Sequence, residues 1–132
     1  QNGEIIVPKT SVIGESENIL IRKEDYLTFS IYDLIEYKKI LEKLKHESEM
    51  ALSCGNIKRK EFFDEYIKEL SSGKLDVIKK SSSNKVLIPN HVKDMYDIED
   101  RVLMCDGVDH IKVFKNDEKK KEYEKRLINN LK

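Results

Sequence analysis

The stretch Lys85-Val86-Leu87-Ile88-Pro89 decides the fold of this chain, because the same pattern stands near its start as Glu4-Ile5-Ile6-Val7-Pro8. In each copy an aliphatic run, typical of a short strand, ends at a proline, which lacks the N–H group that a β-ladder needs. Ile5 is thus equivalent to Val86. A pattern that recurs over such a distance predicts two structural units of the same kind.

Two more matched segments follow in the same order. Residues 18–21 match residues 101–104, and residues 26–29, which include Phe29, match residues 110–113, which end at Val113. In the second copy these segments flank Asp106-Gly107, a dipeptide that favours a hairpin turn. In each copy these segments are followed by a predicted helix that is rich in charged residues.

A short helix is predicted after the second proline. Asn90 is a suitable N-cap for a helix over residues 90–96. The spacing of Val92 and Met95 would bury both side chains on one helical face.

Three longer amphipathic helices are predicted at residues 33–49, 57–70 and about 117–130. Such apolar stripes are typical of core or subunit contacts. The stripes are Leu34, Tyr37, Leu41 and Leu44 in the first helix, Phe63, Tyr66, Ile67 and Leu70 in the second, and Tyr123, Leu127 and Leu131 in the third.

The two copies differ in one element. A strand over residues 75–79 precedes the second copy, and the tip segment, Lys79-Lys80-Ser81-Ser82-Ser83-Asn84-Lys85, connects it to the proline-terminated strand as a hairpin. The first copy begins at Gln1, so the matching strand is missing. We expect that the natural chain has several residues before Gln1.

Composition excludes several classes of protein. The 25 basic and 25 acidic side chains cancel, 39% of residues are hydrophobic, and the five glycines and two prolines do not fit collagen-like or Pro/Gly-rich disordered chains. The apolar runs of three to four residues are too short for a membrane span, and no secretory segment is present. A cytoplasmic protein that does not contact membranes is expected.

The sequence offers no constellation for catalysis. Cys54 and Cys105 are isolated, and His46, His91 and His110 are scattered. Cross-strand proximity in the predicted hairpin could bring Cys105 and His110 together, but they lack an orienting group and further metal ligands. No glycine-rich phosphate loop occurs. We therefore expect no enzymatic activity, metal, cofactor or small-molecule substrate.

The repeated strand–proline pattern, with its hairpin and helix, resembles the MraZ family of the AbrB-like, swapped-hairpin bacterial DNA-binding regulators. The family signature, once per repeat, is Asp-x-x-Gly-Arg before an apolar strand that ends in proline. In the second copy Ser81, Asn84 and Lys85 stand at the Asp, Gly and Arg positions. In the first copy Gly3 matches the glycine and Glu4 replaces the arginine.

The resemblance implies an α+β fold of two pseudo-repeated β-hairpin, short-helix, β-hairpin units with flanking amphipathic helices. It also implies a transcriptional regulator at the nucleoid, a homo-oligomer such as a ring, that binds repeated promoter boxes in double-stranded DNA through one loop per repeat. The implied DNA-binding residues are Lys79, Lys80, Ser81, Ser82, Ser83, Asn84, Lys85, Asn2 and Gly3.

The altered signature leaves an alternative open. Arginine binds phosphate or guanine bidentately, whereas lysine supplies a point charge and glutamate repels phosphate. The loss of both arginines favours an oligomeric interaction or scaffold protein that has kept the fold, while the lysine-rich tip segment favours DNA binding.

The expected layout is one structural domain. Residues 1–50 form the first repeat with its helix, residues 51–73 the connecting helix, and residues 74–132 the second repeat with the C-terminal helix.

Overall fold

The computed structural model describes residues 4–6, 17–72, 75–80, 85–99 and 101–131, and its architecture is α+β, as predicted. The strands in these ranges are β1 (Glu4–Ile6), β2 (Asn18–Lys23), β3 (Thr28–Asp33), β4 (Leu75–Lys79), β5 (Lys85–Leu87), β6 (Leu103–Asp106) and β7 (Ile111–Phe114). The helices are α1 (Leu34–Ser53), α2 (Ile57–Ser71), α3 (Asn90–Met95) and α4 (Asp117–Asn130).

Five strands form one antiparallel sheet in the order β4-β2-β3-β7-β6, and β1 and β5 form a separate antiparallel pair. The predicted pairing of β4 with β5 as a hairpin is therefore wrong: β4 pairs with β2, and β5 pairs with β1. The reason is packing, because β4 places Ile78 against the core that Ile19 of β2 helps to build. The tip segment thus connects two sheets.

Two of the three described ladders that join the halves of the chain share one property. In the small sheet Ile5 lies opposite Val86, and in the large sheet Phe29 lies opposite Val113. Both are pairs of positions that the sequence comparison matches as equivalent. Each ladder therefore contains a pair of matched residues that face each other.

The main core lies on one face of the five-stranded sheet, beneath β5 and α3. Phe29 is fully buried and its ring lies 5.0 Å from that of Tyr96. Val92 is buried as predicted, but Met95 is 53% exposed. The prediction for Met95 is wrong because Tyr96, one turn after Val92, fills the buried position. Asn90 is the first helical residue, so Pro89 is the N-cap and the predicted Asn90 cap is wrong.

The hairpin between β6 and β7 turns slightly later than predicted. Asp106 still pairs with Ile111, and the Gly107 N–H donates to the His110 carbonyl oxygen at 2.7 Å. Val108 and Asp109 therefore form the turn itself. Gly107 flanks it, where a side chain would contact His110.

Helices α1 and α2 form a hairpin that packs against the other side of the sheet. The Asp33 carboxylate caps α1 by accepting from the Glu36 N–H at 3.1 Å, and the Tyr37 hydroxyl donates to the Leu70 carbonyl oxygen at 2.7 Å. Gly55, with φ of +73°, makes the turn between the helices. In the described part of the chain, no helix is both long and apolar enough to cross a membrane.

Candidate nucleic-acid interface

The tip segment is described only at its two ends. Lys79 and Lys85 are exposed, and Lys80 is half-buried where its N–H donates to the Glu17 carbonyl oxygen at 2.8 Å. This bond continues the pairing of β4 with β2 by one residue. The other predicted DNA-binding residues, Ser81, Ser82, Ser83, Asn84, Asn2 and Gly3, lie outside the described residues.

The pairing of β1 with β5 shows where the two strands that follow the family signature begin in the small sheet. Glu4 lies opposite Leu87 and Ile6 lies opposite Lys85, so the two strands begin at opposite ends of the ladder. The described starts of these strands, Glu4 and Lys85, therefore lie at opposite ends of the small sheet.

A charge cluster, formed by Lys23, Asp76 and His91, includes a residue of the strand that leads into the tip segment. Asp76 accepts from Lys23 Nζ at 2.5 Å and lies 3.0 Å from His91 Nε2. Burial acts to raise the pKa of Asp76, but the hydrogen bonds from Lys23 and His91 outweigh it and hold that pKa below its usual range. Asp76 is therefore an anion that neutralises the Lys23 ammonium group beside the candidate interface.

A second polar cluster, not found from the sequence, joins the large sheet to α4. Glu24 accepts from Lys112 Nζ, from Ser30 Oγ at 2.6 Å and from Tyr123 Oη at 3.2 Å. Burial acts to raise the pKa of Glu24, but the hydrogen bonds from Lys112 and Ser30 lower it more. These groups are distant in sequence, and only the alternation of β3 and β7 hints that Ser30 and Lys112 share a face.

A cavity of about 200 Å³ lies beside the Glu24 cluster. Arg22 borders it and is 9% exposed; its guanidinium donates to the Glu69 carbonyl oxygen at 2.9 Å, while its Nε has no partner among the described residues. Glu24, Asp25, Glu69 and Arg126 also line the cavity, so three carboxylates and two guanidinium groups surround it. Such a mixed surface offers little attraction to a phosphate backbone.

Cys105 and His110 do not lie opposite each other in the β6–β7 ladder. Cys105 lies opposite Lys112, while His110 Nδ1 lies 2.6 Å from Asp109 Oδ1 and its ring stacks on Tyr32 with centroids 5.0 Å apart. Over the described ranges no three His, Cys, Asp or Glu side chains are grouped so that they could hold a metal ion.

Helix α2 presents an apolar surface to solvent. Phe62 is 62% and Tyr66 44% exposed, and they border an open cavity of about 620 Å³ with Glu65, Lys68 and Glu69. Leu70 is the member of the predicted stripe that is fully buried, because it packs with Tyr37 of α1. In the α4 stripe Tyr123 is half-buried against Phe114, whereas Leu127 and Leu131 are exposed.

Comparison with known proteins adds no family to this description. No protein-family model matches the chain, and no curated protein matches it.

Proposed function

We propose that this chain is a DNA-binding transcriptional regulator of the MraZ type, which acts as a homo-oligomer at the nucleoid. The observation that carries the proposal is the pairing of matched positions in both ladders, Ile5 with Val86 and Phe29 with Val113. A local two-fold axis between two similar units would produce such pairing. The swapped-hairpin pseudo-repeat of the MraZ family has this symmetry.

The exchange of strands between the two halves also supports this fold. β4 belongs to the second copy in sequence, yet it pairs with β2 of the first copy. β5 likewise pairs with β1 of the first copy. β4 and β5 are thus two strands of the second unit that pair with strands of the first.

The tip segment has the chemistry for phosphate contacts. Lys79 and Lys85 are exposed at its ends, and the hydroxyl groups of residues 81–83 and the Asn84 amide are hydrogen-bond donors. Asn2-Gly3 precedes Glu4, whose carboxylate repels phosphate, so we assign that segment a weaker role. Without arginine, the lysines position the protein on DNA more than they read bases.

Zero net charge does not oppose this proposal. A homo-oligomer repeats the same few cationic contacts at spaced boxes, and linked binding events raise the overall affinity well above that of a single contact. Each subunit then needs only a local basic segment.

The test is neutralisation of the described lysines of the tip segment. The triple variant Lys79→Gln, Lys80→Gln, Lys85→Gln should bind duplex DNA more weakly, and the slope of log affinity against log salt should fall by about 0.9 for each phosphate that the protein no longer neutralises. The matched control changes three exposed lysines of α1, Lys38→Gln, Lys43→Gln and Lys45→Gln, which alters net charge equally. An equal reduction of affinity in both variants would contradict a site at the tip segment.

The exposed face of α2 favours a second function, an oligomeric interaction or scaffold protein that has kept the fold without DNA binding. Phe62 and Tyr66 form an exposed aromatic surface of the kind enriched at protein interfaces. Under this function the wild-type oligomer would bind no duplex, and Phe62→Ser would change association with a protein partner.

A further inference from the structure

Helix α4 packs on the sheet without fully burying any of its side chains. None of residues 117–130, all of which the structure describes, is buried, whereas α1 buries Tyr37 and Ala51. In the apolar stripe predicted for α4, Leu127 is 47% and Leu131 87% exposed. Because burial of apolar area supplies most of the stability of a docked helix, α4 gains little from it.

The contacts that hold α4 are mainly polar and converge on the turn between β2 and β3. Three consecutive residues of this turn bond to α4: Glu24 accepts from Tyr123 Oη at 3.2 Å, Asp25 accepts from Arg126 at 3.1 Å, and Tyr26 Oη donates to Glu122 at 3.2 Å. The Arg126 and Asp25 side chains are 45% and 25% exposed. Ion pairs that water reaches are weak and are screened by salt.

A gap also lies beneath α4. The cavity of about 200 Å³ has Tyr123 and Leu127 of α4 on one side and Arg22 of β2 and Glu69 of α2 on the other. Atoms that face such a gap lose van der Waals contacts with the opposite wall. The ring of Tyr123 does contact that of Phe114, with centroids 5.5 Å apart. The attachment of α4 therefore combines an aromatic contact with a set of exposed polar bonds.

We propose that α4 is a strap that opens from the sheet as one unit while the five-stranded sheet stays folded. Opening breaks the polar bonds to the β2–β3 turn and separates Tyr123 from Phe114. The free helix then presents Tyr123, Leu127 and Leu131 as one apolar stripe, because they are spaced at i, i+4 and i+8. Opening also uncovers Phe114, which is 2% exposed in the closed state. This device goes beyond the proposed DNA binding and does not depend on it.

The sheet supplies the reference for an element that does not open locally. All six residues of β3 are buried, so its amides exchange with solvent only when the whole domain unfolds. Helix α4 can exchange through a local opening that leaves this core intact, because the described residues of the main core include none from α4. Since charge screening weakens the bond of Arg126 to Asp25, salt favours the opening.

Hydrogen exchange followed by mass spectrometry tests the strap. In the wild-type chain without DNA, the amides of α4 should exchange at least about a hundredfold faster than those of β3. Raising the salt concentration from about 0.05 M to about 0.5 M should speed exchange in α4 by about two- to fivefold and leave β3 unchanged. Equal protection of α4 and β3, or exchange in α4 that does not respond to salt, would overturn the proposal.

The pattern of exchange along α4 separates opening from fraying. A strap that opens as one unit exposes the hydrogen-bonded amides of α4 together, so overlapping peptides should exchange at similar rates. Exchange that starts at Asn130 and decreases steadily toward Lys121 would show fraying of the helix end and would contradict opening as one unit.

Two arginine variants form a matched pair. Arg126→Gln removes the ion pair with Asp25, so exchange in α4 should rise by about two- to fivefold at low salt and respond less to added salt. Arg59→Gln removes another exposed arginine, whose partner Glu47 lies 3.7 Å away on the α1–α2 hairpin, and should leave α4 unchanged. An equal rise in both variants would overturn a strap held by Arg126. Because no DNA is present, none of these outcomes depends on DNA binding by the tip segment, which the duplex titrations test separately.

Discussion

Phe29 lies directly opposite Val113 in the five-stranded sheet, and the two residues occupy matched positions in the two halves of the chain. Both side chains are fully buried in the main core. The junction between the halves is therefore also part of the hydrophobic core, so the halves should unfold together.

Truncation of the Phe29 side chain tests whether the two halves unfold together. Phe29→Ala should lower the free energy of unfolding by about 3–5 kcal/mol, because it removes a buried ring that packs on Tyr96. Urea unfolding followed by circular dichroism should show one transition at a lower midpoint. Val108→Ala, at a position 96% exposed, is the control and should change stability by less than about 0.5 kcal/mol. Two separate transitions would show that the halves are independent.

Glu24 should make stability depend on pH. Its pKa lies below the usual range in the folded protein, so the carboxylate stabilises the fold at neutral pH, and that stabilisation disappears as the pH falls through the folded pKa. Glu24→Gln should cost about 2 kcal/mol at neutral pH. The difference from wild type should shrink on acidification. A difference that is constant with pH would mean that the Glu24 charge is not the cause.

Asp76 should restrain DNA binding. Asp76→Asn removes the anion that neutralises Lys23, and affinity for duplex DNA at low salt should rise by about two- to fivefold. Fluorescence anisotropy measures the change. Asp64→Asn on α2, which also removes the partner of a lysine, is the matched control and should leave affinity unchanged. An equal rise in the control would indicate a non-specific charge effect.

Gly55 should matter for stability alone. Its φ of +73° disfavours a side chain, although no atom lies within 4 Å of an added Cβ. Gly55→Ala should therefore cost about 1 kcal/mol, and Gly55→Asn less, because asparagine tolerates this conformation. Thermal unfolding gives the comparison. An Asn variant less stable than the Ala variant would contradict a purely conformational cost.

Local elements could be predicted from the sequence, whereas the partners of each strand could not. Residues 75–79 form β4 within the predicted limits, and the helix predicted over 57–70 is α2. The sequence around β4 indicates a strand, but its pairing with β2 rather than β5 depends on how Ile78 packs in three dimensions.

The same limit applies to the candidate interface. The lysines of the tip segment are visible as a basic run, yet the cluster around Asp76 joins three different elements and has no signal in the sequence. The cluster around Glu24 has no signal in the sequence either, because Lys112 and Tyr123, which bond to Glu24, belong to β7 and α4. Contacts between distant segments appear only once the strand order is known.

The most direct measurement of DNA binding is an anisotropy titration of the wild-type oligomer against a promoter fragment with spaced repeats and a scrambled duplex, at two salt concentrations. We expect tighter binding to the repeats and a steep decrease of affinity with salt. No binding to either duplex by an intact oligomer would contradict the account.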